Sequence, residues 1–325
     1  MEKDFVLTPE LEAMISLIDD DDETVFNAVS KRLLDVILSD RPEAAELMRQ
    51  MVGKKGAASE LASERIDRFI DDVQFQKLAP QFRRTLLDGP SLEDLGFLIA
   101  QIGYPDADIS KCKRELQRLE RELKTNFFTP SSSEMDKVFM LSVLLFEKEG
   151  YRGNSSDYYD PDNSYLNRVI ERKMGIPISL GAIYLMLAER LRLPVYGINM
   201  PAHFMLKYET AQQELFIDPF GQGRVMEKED CIRFLKNAGY GYVDQYLARA
   251  STIEIAVRMM NNLRNSYSEL GKPQKSELVE QYLNLIRSFE SGDDAPASTG
   301  GVSDSADNTD LPPDGFDSDN ADEEL

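Results

Sequence analysis

Residues 175–220 read GIPISLGAIYLMLAERLRLPVYGINMPAHFMLKYETAQQELFIDPF, and the rest of the chain must fold around them. Pro177 stands near the start of an apolar run, a helical position that proline tolerates. The run predicts a helix to about Arg192, with Ile183, Tyr184, Leu187 and Leu191 on one face. Three short strands follow: Val195–Ile198, His203–Tyr208 and Glu214–Ile217. His203 is the one histidine among 325 residues. Ser179 precedes it at the helix start and Asp218 follows it at a strand end. In chain order that is a candidate nucleophile, a base and a group to orient the base, a set that geometry rather than spacing defines.

The register of the strand pair bears on this. His203 and Asp218 lie directly opposed if the hairpin loop has two residues (Thr210-Ala211) or four (Glu209 to Gln212). Opposed Cβ atoms are about 5 Å apart, near enough for an imidazole–carboxylate hydrogen bond. A loop of three or five residues would put the two side chains on opposite faces.

Further landmarks surround this stretch: Tyr158-Tyr159-Asp160-Pro161, Asn163-Ser164-x-Leu166-Asn167, Gly175-Ile176-Pro177-Ile178-Ser179-Leu180, Leu193-Pro194-Val195, Pro201-x-His203-Phe204 and Ile217-Asp218-Pro219-Phe220. In this order, over roughly residues 135–240, they resemble the SirB-type branch of the transglutaminase-like, papain-fold proteins. The resemblance implies an α+β fold, mainly helical, with a helix packed on a small antiparallel sheet. It also implies that His203 and Asp218 fill the base and orienter positions, while the nucleophile position of enzymatic relatives, a cysteine, is not matched. Ser179 is the residue closest to it.

A thiol at a helix N-terminus is readily activated by the dipole and a neighbouring imidazole. A serine hydroxyl needs an aligned base and an oxyanion hole. Two readings follow. In the first, the core is degenerate at the nucleophile and acts in protein binding or as a scaffold. In the second, Ser179, His203 and Asp218 form a triad for acyl transfer or amide hydrolysis. The bland alternative for Ser179 is a hydroxyl that hydrogen-bonds backbone in the first helical turn.

Cys231 follows Glu229-Asp230, which argues for a small buried residue rather than a nucleophile. Cys112 stands among Lys111, Lys113 and Arg114 and is expected as an exposed helical thiol. One histidine and two distant cysteines offer no metal site, the acidic run Asp20 to Glu23 lacks the alternation of a calcium loop, and no cofactor is expected. Asn154-Ser-Ser156 has the form of a glycosylation sequon.

Outward from the core, residues 1–130 predict a helical region. Its acidic turn and helix at SLIDDDDETVFNAVSKRLLDVI resemble one HEAT-type repeat, with Val25, Val29, Leu33, Leu34 and Ile37 at helical spacing. Helices are expected at about 58–75, 77–87, 91–102, 109–126 and 134–149. Asn163-Ser164 is read as the cap of a helix that Gly175 ends, and Glu227–Lys236 as a further helix. The core is placed at 131–245. A hairpin resembling one tetratricopeptide unit follows at 246–290, turning at Gly271-Lys272-Pro273, and an acidic disordered tail at 291–325. That tail holds eleven of the 58 acidic residues and no Lys or Arg, within a formal charge of −21. Such a balance disfavours nucleic-acid partners. No apolar run is long enough for a bilayer, so no membrane association is expected. The start carries no apolar leader, and a cytoplasmic protein with a protein or peptide partner is expected.

Overall fold

The computed structural model describes residues 7–20, 22–39, 43–55 and 59–291, so the expected tail lies outside the described residues. The chain divides into two compact units, residues 1–82 and 83–325, each with its own core. The division does not coincide with the expected boundary at 130/131.

The first unit is helical: α1 (Pro9–Ser16), α2 (Glu23–Leu38), α3 (Ala44–Lys55) and the larger part of α4 (Glu60–Leu87). Thr8 and Asp22 cap α1 and α2 by accepting the amides of Leu11 and Thr24. The inner face of α2 is Phe26, Val29, Leu33, Val36 and Ile37, with Val25 and Leu34 at its margin. The expected break near residue 76 is absent. Helix α4 continues through Pro80, whose ring is exposed, so water can satisfy the carbonyl that loses its partner.

In the second unit Ser91 caps α5 (Leu92–Gly103) at the amide of Asp94, as Pro90-Ser91-x-x-Asp94 suggests. Then come α6 (Ile109–Glu122) and α7 (Glu134–Ser142), each ending in a π turn, at Leu123–Phe127 and Val143–Lys148. A two-residue parallel pair, β1 (Arg152–Gly153) with β2 (Met174–Gly175), brackets α8 (Leu166–Arg172). The cap of α8 differs from expectation: Lys173 takes the left-handed position at φ 55°, because Gly175 is already paired in β2.

Helix α9 (Pro177–Arg190) is the centre of this unit. It packs against α5, α6, α7 and α8, and also against α11 (Thr252–Glu269). Residues Pro177 to Ala188 are all buried, so the expected single apolar face gives way to a helix that is apolar all round. Beside it stands an antiparallel sheet in the order β3 (Val195–Ile198), β4 (Met205–Glu209), β5 (Glu214–Asp218) and β6 (Arg224–Met226), the last of which was not foreseen. Phe204 is wedged between α9 and β3. A Cβ on Gly181 or Gly197 would come within 2.6 or 2.7 Å of its ring, so both positions must lack a side chain.

The sheet has two covered faces. Leu206 and its partner Ile217 belong to the α9 side, where Leu206 lies near Gly181. Strand alternation puts Met205, Lys207, Phe216 and Asp218 on the other side. There Met205 and Phe216 join Cys231 and Leu235 of α10 (Lys228–Asn237), and Leu247, in a second apolar cluster. Helices α11 and α12 (Pro273–Ser291) form the C-terminal hairpin around Gly271, and Pro273 starts α12. The architecture is α+β, mainly helical with a small antiparallel sheet, as the sequence predicts.

Candidate functional site

The structure brings two of the three site residues together. His203 Nε2–H donates to Asp218 Oδ1 at 2.8 Å, and both residues are buried, 4% and 2% exposed. Their register is not the expected one. Leu206 faces Ile217 and Glu209 faces Glu214, while the Thr210 amide closes the turn on the Gln213 carbonyl at 2.9 Å. Extended by one pair, this puts Met205 opposite Asp218 and leaves His203 two residues before the strand. The offset from direct opposition is two residues, which preserves the face and lets the imidazole reach the carboxylate diagonally.

The loop that delivers His203 is held from outside the sheet. Ala202, just before it, adopts φ 64°, a left-handed conformation costly for a residue with a Cβ. Arg258 of α11, fully buried, donates to the Met200 carbonyl at 2.9 Å. On the carboxylate side, Oδ1 also accepts the amides of Phe220 and Gly221 at 3.0 Å each, an Asx-type turn over Pro219. Arg224 stands 3.6 Å from Oδ2. Burial alone would raise the Asp218 pKa. The charge and hydrogen bond of His203, the Gly221 amide and Arg224 outweigh it and hold the carboxyl below its ordinary range.

Aromatic rings wall the imidazole. Phe234 of α10 lies 5.6 Å from it between centroids, and Phe220 meets it edge-on at 6.3 Å. Phe220 in turn meets the Tyr158 ring at 6.0 Å. The dyad therefore packs against Phe234 of α10 and the Phe220 ring.

The hydrogen bonds of Ser179 go to backbone rather than to this pair. Its hydroxyl, 0% exposed, donates to the Asn163 carbonyl at 2.5 Å, with the Ile176 carbonyl at 3.1 Å, and accepts the Ile176 amide at 3.1 Å. The proton and one lone pair are committed to backbone, so the residue ties the start of α9 to the preceding loop. A hydroxyl so placed has no base to receive its proton.

Asn163 is the residue that sequence reasoning undervalued. Its amide donates to the Asp157 and Tyr158 carbonyls at 2.7 and 3.1 Å, and its Oδ1 accepts from Asn154 at 3.0 Å. The signal was present in Asn163-Ser164 but was read as a helix cap. Asn154 is itself buried at 6% exposure, so the sequon form describes an internal hydrogen-bonding residue.

Both cysteine thiols are shifted toward the protonated form. Burial, then Asp230 and Asp218, push the Cys231 thiol up to about 12. Cys112 is buried rather than exposed, since it shares the inner stripe of α6 with Leu116 and Leu119. Burial first and Asp108 next raise its thiol, and Lys111 only partly opposes them. Among the described residues no three His, Cys, Asp or Glu side chains group as metal ligands. No helix among them is long and apolar enough to cross a membrane. A depression of about 190 Å³ lies on the dyad's side of the sheet, but Lys207, Phe216, Lys228 and Tyr242 line it, not His203 or Asp218.

Comparison with known proteins agrees with this geometry. The pattern of the transglutaminase-like superfamily matches residues 110–261, the span that holds α9, the sheet and the dyad. A UPF0162 protein of Xylella fastidiosa (strain 9a5c) is 33% identical over 202 residues, 60% of this chain and 72% of that protein. A UPF0162 protein of Pasteurella multocida is 26% identical over 182 residues, 55% of this chain and 66% of that protein. F-box only protein 21 of Mus musculus is 30% identical over 157 residues, 45% of this chain but 24% of that much longer protein. No solved structure matches. A shared core of this extent, built on one buried helix and one small sheet, means that the chain belongs to the UPF0162 family.

Proposed function

We propose that this chain is a SirB-type transglutaminase-like protein that has lost turnover at the nucleophile and acts as a protein-binding module or scaffold. The observation that carries the reading is the commitment of Ser179 to Asn163 and Ile176, away from His203. Two further features support it. The imidazole is enclosed by Phe220 and Phe234, and both thiols are held protonated at neutral pH. The similarity to a short segment of a far longer F-box protein is what a module used for its surface would show.

The competing Ser-His-Asp reading draws on the intact His203–Asp218 bond. It requires Ser179 to leave its backbone partners. A serine-directed fluorophosphonate separates the two. The full chain is expected to remain unlabelled, as Ser179→Ala does. Labelling at Ser179 that disappears in His203→Ala would establish an enzyme and end the proposal. A partner recovered at one-to-one stoichiometry and reconstituted from purified components, with Ser179→Ala binding as the parent does, would support it.

A further inference from the structure

Helix α6 is the exception in an acidic protein. Its inner stripe is Cys112, Leu116, Leu119 and Leu123. At 100° per residue, Lys111, Arg114, Arg118 and Arg121 share about 80° of arc on the opposite side, along about 15 Å of helix. No carboxylate stands on that ridge, because Glu115, Glu120 and Glu122 occupy its margins. The guanidinium of Arg118 is held by Glu115, Glu122 and Glu149. Arg114 holds Asp108 at 3.3 Å. Lys111 and Arg121 are exposed and carry no ion pair among the described residues. The formal charge of the whole chain is −21, yet residues 109–124 hold six bases against three acids.

We infer that this ridge docks the chain's own acidic C-terminal segment, residues 292–325. Charge complementarity is the first reason: that segment has eleven carboxylates and no base, including Asp314, Asp317, Asp319 and the run Asp322-Glu323-Glu324. Reach is the second. A chain segment of 34 residues can span up to about 110 Å when extended. A compact unit of the size of residues 83–291 has a radius of gyration of about 17 Å, so most of its surface is accessible to a tail leaving α12. A nucleic acid would meet the same ridge, but the remaining charge of the chain repels it. The tail brings its carboxylates at high effective concentration. The inference does not depend on whether the His203–Asp218 pair is catalytic.

Zero-length carbodiimide coupling of the full chain, read by mass spectrometry, tests it. The expected products are intrachain links from tail carboxylates to Lys111, Lys113 and Lys124, independent of protein concentration. They should fall at least tenfold at 1 M salt, where the screening length is about 3 Å. The double variant Arg114→Glu, Arg121→Glu changes exposed side chains only, and links to Lys111 should fall by a similar factor in it. Links spread evenly over surface lysines such as Lys31 and Lys77 overturn the inference. So do links between chains or an absence of tail links. Addition of a 20-base-pair duplex is the last arm: tail links that vanish on stoichiometric duplex binding assign the ridge to nucleic acid and overturn it as well.

Discussion

The start of α9 and the end of β5 hold the two halves of the expected triad, and they differ in what their polar groups face. At Ser179 the hydroxyl proton and one lone pair are taken by backbone. At Asp218 one oxygen serves two amides and an imidazole, and the pair is shielded by aromatic rings instead of being knitted into a helix. A serine and a histidine in the right chain order therefore need not share a hydrogen bond in the fold.

That contrast makes four expectations, the largest at the carboxylate. Asp218→Ala removes the partner of a buried imidazole and the acceptor of two amides, and should cost about 3–5 kcal/mol. Thermal unfolding should show it as a fall of about 10 °C or more. A loss near zero would mean that the dyad is not a structural tie. Asn163→Ala leaves the Asp157 and Tyr158 carbonyls and the Asn154 amide without a partner, for a loss on the order of 3 kcal/mol in urea denaturation. Indifference there would break the view of the α9 entrance as a polar knot.

Ser179→Ala should cost less, about 1–2 kcal/mol, since the Ile176 amide keeps a longer contact to Asn163. Unchanged stability together with loss of a chemical activity would reverse the comparison. The pH dependence of Asp218 is expected to be the smallest effect, because burial opposes the partners that lower its pKa. With the folded pKa below the unfolded one, the carboxylate contributes stability above about pH 4, and this is lost as pH falls through the folded value. Denaturation midpoints of the parent and Asp218→Asn, measured from pH 6 to 3, should converge on acidification. Divergence would contradict a depressed carboxyl.

Much of this was legible in the chain. Pro177 marked the start of α9, Gly271-Lys272-Pro273 marked the turn between α11 and α12, and Val195–Ile198 was read to the residue as β3. Local rules suffice there, because proline, glycine and alternating apolar residues restrict their own backbone. The misses have non-local causes. The break expected near residue 76 did not occur in α4, Lys173 rather than Gly175 took the left-handed cap, and Cys112 turned inward. In the last two cases a tertiary partner had already claimed the position that local reasoning assigned. Strand β6 is only three residues long, too short for its alternation to be recognised.

The sequence by itself determined the order of helices and strands, while the parity that keeps His203 and Asp218 on one face depended on the hairpin register that the fold selected. Which acceptor Ser179 would find was settled only by the tertiary structure. A hydroxyl bonds to whatever carbonyl the packed core brings within 3 Å, and the Asn163 carbonyl arrives there through a loop held by Asn154 and by the Asp157 and Tyr158 backbone, contacts that no local pattern in the chain encodes.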